Sequence, residues 1–157
     1  MNEIFTDTSA LVALLFEEPG SFEIRRLFAT LDQVYASNLL EAEVRGAAVR
    51  EDVGQREVDS FLAKVKWVLP ERPLSQELRA VSSCGVHLKG ADAWHLACAL
   101  YLAGDPSLLP FLTLDGDQAE AATRLGFKVL PGTSLRGSPA RETQAVYQTG
   151  ASKGKKK

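Results

Sequence analysis

Short apolar runs, separated by longer amphipathic stretches, restrict this chain more than any other feature. Glu3-Ile4-Phe5-Thr6, Val34-Tyr35-Ala36-Ser37, Trp67-Val68-Leu69-Pro70, Leu112-Thr113-Leu114 and Phe127-Lys128-Val129-Leu130 each read as a short buried strand. Between them the pattern predicts helices over Ala10–Phe16, from Ser21 to about Leu31, from a cap at Asn38 to about Glu51, over Gln55–Lys66, Ser75–Ser83, Ala91–Ala103 and Gln118–Leu125. Glu18-Pro19-Gly20 stops the first of these, and Gly104 and Gly126 end two later ones. Strands that alternate with helices predict an α/β fold, a central parallel sheet of about five strands with helices on both faces. Such sheets bind ligands beyond the carboxyl ends of their strands, where the strand order switches.

A chain of 157 residues supports one domain with a sizeable core, but not two. Its 45% hydrophobic and 24% charged residues are ordinary for a globular protein. No apolar run approaches the roughly 18–20 residues of a membrane span. Met1-Asn2-Glu3-Ile4 lacks the basic start and apolar stretch of a signal peptide, so a cytoplasmic location is expected. Two cysteines (Cys84, Cys98) and two histidines (His87, His95) supply neither a disulfide scaffold nor a zinc set. Cys98 lies in an apolar helical pattern and is expected to pack as a small hydrophobe.

The formal charge of −2 conceals a split. Residues 1–131 carry 12 Lys/Arg against 19 Asp/Glu, a net of −7, and residues 132–157 carry 6 against 1, a net of +5. The first segment reads as the folded domain. The second is rich in Gly, Ser, Thr, Gln and Lys with little to bury, and reads as a disordered basic tail. An acidic domain argues against broad nonspecific nucleic-acid binding, though not against a nuclease whose site is neutralised by metal.

Four acidic motifs sit where an α/β fold would deliver carboxylates to one crevice: Phe5-Thr6-Asp7-Thr8-Ser9, Leu40-Glu41-Ala42-Glu43-Val44-Arg45, Ala91-Asp92-Ala93-Trp94-His95-Leu96-Ala97 and Thr113-Leu114-Asp115-Gly116-Asp117. Clustered carboxylates are unfavourable unless cations or protons neutralise them, and hard Mg²⁺ or Mn²⁺ suits oxygen ligands. Asp7 directly follows a strand; it would serve as a helix cap, but Thr8 and Ser9 can do that work beside it. Glu41 and Glu43 both flank the apolar stripe Leu40, Val44, Ala47 and Ala48, so periodicity does not choose between them. Glu41 has Arg45 four residues on and reads as an exposed ion pair. Glu43 has Gly46 and Ala47 at those offsets, small residues that leave room for an ion. Asp92 and His95 share one helix face; the histidine reads as packed and hydrogen-bonded. Asp117 and Glu120 have capping-box spacing, which casts Asp117 as the cap and a further candidate ligand for a second ion.

The order of these motifs, above all Asp92-Ala93-Trp94-His95-Leu96-Ala97, resembles the PIN-domain ribonucleases and within them the VapC-type toxins, over roughly residues 3–131. The resemblance implies Asp7, Glu43, Asp92 and Asp115 as the catalytic, metal-holding acids, with Ser9 and Thr113 in support. Trp94 departs from the aliphatic residue usual there. It further implies an endoribonuclease acting on single-stranded RNA with Mg²⁺ or Mn²⁺, a cognate antitoxin protein that enters the active site, and a homodimer. Arg45, Arg50 and Lys89 are the candidate RNA phosphate contacts. A housekeeping PIN-fold RNA-processing nuclease, or a catalytically inactive PIN-fold binding module, remain alternatives, although four intact acids weigh against decay. A phosphatase using an aspartyl nucleophile would want a second aspartate two residues after Asp7, where Ser9 stands.

Overall fold

A computed structural model describes residues 2–130; the expected tail, 132–157, lies outside them. Among the described residues β1 (Glu3–Thr6) leads through α1 (Thr8–Leu15) and α2 (Ser21–Phe28) to β2 (Gln33–Ser37). The chain continues through α3 (Leu39–Arg50), α4 (Gln55–Leu62) and β3 (Val65–Val68) to α5 (Ser75–Ser83) and α6 (Gly90–Ala103). A 3₁₀ turn (Pro106–Leu108), β4 (Phe111–Leu112) and α7 (Gly116–Arg124) complete it. All strand pairs are parallel, in the order β3-β2-β1-β4.

The chain steps outward from β1 through β2 to β3, then crosses back to lay β4 on the other side of β1. Strand order therefore reverses between β1 and β4, and a crevice opens beyond their carboxyl ends. β1 is central, and Ile4, Phe5 and Thr6 are fully buried, as a strand covered on both faces requires. Alternation divides its side chains: Ile4 packs with Leu11, Ile24, Val34, Leu40, Val44 and Val58, and Phe5 packs with Leu74, Val81, Leu96, Phe111 and Phe127. On that second side Phe5 stacks on Phe111 at 5.6 Å and 9°, and Phe111 meets Phe127 at 5.7 Å.

The α/β fold and its parallel sheet match expectation; several boundaries do not. The sheet has four strands, not about five, because Phe127–Leu130 contributes only one parallel bridge, Phe111 to Val129. β4 is shorter than expected because Thr113 and Leu114 leave the ladder for side-chain partners; the Leu114 N–H donates to Ser9 Oγ at 2.8 Å. α4 stops at Leu62 because Val65 and Lys66 pair with Val34 and Tyr35, drawing β3 two residues toward the N-terminus. α2 ends three residues early, where residues 29–32 turn back and the Asp32 side chain accepts from the Asn2 N–H at 2.8 Å. Asn38 precedes α3 but makes no side-chain cap, because its backbone is already helical, with φ −62° and ψ −20°.

Candidate functional site

Four elements deliver the acids to the switch point. Asp7 leaves β1 and Asp115 follows β4; Glu43 stands on α3, and Asp92 lies in the first turn of α6. Asp7 is only 3% exposed. Its carboxylate accepts from the Ser9 hydroxyl (2.8 and 2.9 Å), the Thr113 hydroxyl (2.9 Å) and, as the N-cap of α1, the Ala10 N–H (3.4 Å). Burial outweighs these donors and the nearby His95, and lifts the Asp7 carboxyl from 3.8 to about 6.

Capping therefore leaves Asp7 available for a site role, since one carboxylate accepts from the cap N–H and from two hydroxyls. Thr8 and Ser9, expected as spare caps, instead serve two acids: Ser9 binds Asp7, and the Thr8 hydroxyl donates to Glu43. The same doubling occurs at Asp115, which caps α7 by accepting from the Gln118 N–H at 2.8 Å. This corrects the capping-box reading of Asp117 and Glu120. Thr113 Oγ1 accepts the Asp115 N–H at 3.0 Å and fixes the cap two residues earlier; Asp117 is exposed in the first turn, and Glu120 pairs with Arg124.

Glu43 and Glu41 part as their neighbours suggest. Glu41 holds Arg45 at 2.8 and 2.9 Å, and the same guanidinium binds Asp59 (2.8 Å) and Gln55 (3.0 Å). Arg45 is therefore committed to protein partners. Glu43 instead turns to His95, whose Nε2 lies 2.8 Å from Glu43 Oε2. These donors, led by His95, hold the Glu43 carboxyl below the usual range. His95 is 2% exposed, and its Nδ1 lies 2.8 Å from Ser37 Oγ. It is packed, as expected, and it also binds the candidate acid.

Asp92 is half-buried. Burial first, then the charges of Asp115 and Glu43, push its carboxyl upward, while His95 and Lys89 oppose the shift. Asp92, Asp115, Glu43 and Lys89 therefore share one electrostatic environment. Arg50 is exposed in the last turn of α3, two helical turns beyond Glu43. Sequence reasoning missed Gln118, which is fully buried: its side-chain amide lies 2.8 Å from Thr113 Oγ1, and its Nε2 donates to the Asp92 carbonyl at 3.2 Å. Ser37 reads in the sequence only as the end of a strand. A lone polar residue at an apolar position was the available signal for both.

Among the described residues, no three His, Cys, Asp or Glu side chains stand close enough to enclose a metal ion unaided. A small hard ion does not need that, since Mg²⁺ keeps several waters and takes one or two carboxylates directly. The donor set fits such an ion: it consists of oxygens, with mutually repelling carboxylates that a cation would relieve. Cys98 is no competitor, its thiol being pushed by burial to about 12.

No curated protein matches the chain closely enough to report. The model of the PIN domain does match, over residues 4–124, slightly inside the expected span of 3–131. It takes in all four acids and all four strands but for the first residue of β1, and the chain belongs to the PIN domain family, a metal-dependent nuclease fold.

Proposed function

We propose that the protein is a Mg²⁺- or Mn²⁺-dependent endoribonuclease, the toxin of a toxin–antitoxin pair, that hydrolyses single-stranded RNA in the cytoplasm. The carrying observation is that Asp92, Asp115 and Glu43 share one electrostatic environment at the β1–β4 switch, with Asp7 linked to Asp115 through Thr113: burial raises the Asp7 and Asp92 carboxyls, and the charges of Asp115 and Glu43 raise Asp92 further. These acids would hold one or two ions, directly or through water, with exposed Asp117 a further ligand for a second. A bound divalent ion supplies an acidified water and neutralises charge that develops on the phosphodiester. Ser9 and Thr113 keep Asp7 in place. Asp92, partly open to solvent and raised in pKa, is suited to accept the attacking water's proton. Lys89 beside it offers a cation to the RNA phosphate, with Arg50 further along α3.

His95 does not suit the other ribonuclease route, in which a histidine activates the RNA 2′-hydroxyl, because both ring nitrogens are engaged and the ring is buried. The protein should cleave single-stranded RNA with Mg²⁺ or Mn²⁺, stop in EDTA, and leave 5′-phosphate and 3′-hydroxyl ends by mass analysis. Undiminished cleavage in EDTA, or cyclic phosphate ends, would refute this reading.

One further feature favours a toxin over a housekeeping nuclease or an inactive module. A recess of about 950 Å³ lies at the amino ends of β2 and β3, away from the acids, with Leu11, Leu14, Leu15, Phe28 and Phe61 in its lining and charged residues of both signs among the rest. Apolar grooves between helices accept the apolar face of an amphipathic helix. α1 runs from the acids to this recess, so a cognate antitoxin seated there lies one helix from the active site. Homodimerisation belongs to the same reading. A small antitoxin gene directly upstream, whose product co-purifies with this chain, separates toxin from housekeeping enzyme.

A further inference from the structure

Glu43 is held more firmly than a half-exposed glutamate on a helix needs to be. Thr8, at the start of α1, donates its hydroxyl proton to Oε2. His95, from α6, places Nε2 2.8 Å from the same oxygen, and its ring lies 3.3 Å from the Thr8 hydroxyl. Ser37, the last residue of β2 and fully buried, holds the other ring nitrogen at 2.8 Å. α1 and α6 thus meet on one carboxylate oxygen of α3, and β2 braces the imidazole from behind. Both bonds to Glu43 fall on Oε2, and Oε1 has no bonded partner among the described residues.

With a proton on Nε2, His95 donates to Glu43, and Ser37 Oγ stands at hydrogen-bond distance from the other ring nitrogen, Nδ1. Every donor finds an acceptor, and no buried polar side-chain atom among the described residues lacks a partner. Ser37 fixes the ring angle, as outer partners of ligating groups commonly do. Ordering a glutamate side chain gives up rotamer entropy, which core packing does not offset for a residue this exposed.

We propose that His95, braced by Ser37 and assisted by Thr8, is a positioning residue that fixes Oε2 of Glu43 so that Oε1 is presented to the divalent ion. The inference rests on the metal-dependent reading above and adds to it the residues that aim the second acid.

Two variants at one position separate aiming from packing. Gln places its amide nitrogen about where Nε2 sits and can still donate to Glu43. Asn places its amide near Nδ1, where it reaches Ser37 but not Glu43. Binding of Mn²⁺ alone, read from the loss of the free-ion electron paramagnetic resonance signal, should weaken about 10–100-fold in His95→Asn, and stay within about threefold of wild type in His95→Gln. Thermal melting reports the fold of each. Equal Mn²⁺ affinity in His95→Asn and wild type, or equal losses in both variants, would overturn the proposal. If the His95 variants fold poorly, Thr8→Val removes one donor to Oε2 without opening the core. It should weaken Mn²⁺ binding about tenfold, and an unchanged affinity would overturn the proposal by itself. Wild-type protein that binds no Mn²⁺ overturns both this inference and the metal-dependent reading; binding that ignores all three substitutions overturns the inference alone.

Discussion

Replacing Asp7 with asparagine should stabilise the metal-free protein at neutral pH and leave it nearly unchanged in acid. Burial holds the Asp7 carboxyl at about 6 in the folded protein, against an ordinary value of 3.8. That shift of about 2 units corresponds to about 3 kcal/mol, at about 1.36 kcal/mol per unit. The sign follows from proton counts. Between about pH 4 and 6 the folded chain holds the Asp7 proton while the unfolded chain has lost it, so stability falls as pH rises through that window and levels off above it. Asparagine does not titrate and caps helices as well as aspartate does. Any change in the bonds to Ser9 and Thr113 is the same at every pH and cancels from the slope. The stability difference, variant minus wild type, should therefore rise by up to about 3 kcal/mol from pH 4 to pH 7. Urea denaturation in EDTA at half-unit pH steps measures it from the midpoint and slope. Added Mg²⁺ should narrow the gap, because it is expected to stabilise wild type far more than the variant. A difference independent of pH, or one that falls between pH 4 and 7, would refute the claim that Asp7 carries a burial penalty.

Two further substitutions test neighbouring parts of the site. Glu43→Gln should abolish Mg²⁺-dependent cleavage with the fold intact by circular dichroism, whereas Glu41→Gln should remain active and lose little stability, since its pair with Arg45 is screened by solvent; the reverse pattern would move the second acid to the other flank of α3. Gln118→Ala strands the Thr113–Asp92 link inside the core and should cost about 1–3 kcal/mol in urea denaturation, and a loss below about 0.5 kcal/mol would mean that water takes over its bonds.

The sheet and most of its helices were legible because burial on both faces forces continuous apolar runs, as at Ile4-Phe5 and Val34-Tyr35-Ala36. Asp7, Asp92 and Asp115 were legible as acids at element ends, and Glu43 as one of two acids flanking the apolar stripe of a helix. Their partners were not. Thr8 meets Glu43 across 35 positions, Ser37 meets His95 across 58, and Thr113 meets Asp7 across 106. No local pattern records such pairings. The cap of α7 shows the same limit in reverse. Local spacing favoured Asp117, but the Thr113 hydroxyl, held in place by Asp7 and Gln118, takes the Asp115 N–H and starts the helix there. Strand ends failed for a related reason, since Leu114 exchanged a ladder position for a bond to Ser9.

Because Asp7 and Asp115 also cap α1 and α7, selection acts on them twice. A lineage that abandoned nuclease chemistry would still lose helix stability if either became alanine, so aspartate or asparagine would persist at both positions on structural grounds. Glu43 and Asp92 cap nothing. Drift would reach them first, along with His95, whose buried ring is worth keeping polar only while there is a glutamate to hold. Among relatives of this chain, a working enzyme is therefore distinguished from a retired one by positions 43, 92 and 95, and the two most deeply fixed aspartates are the poorest witnesses.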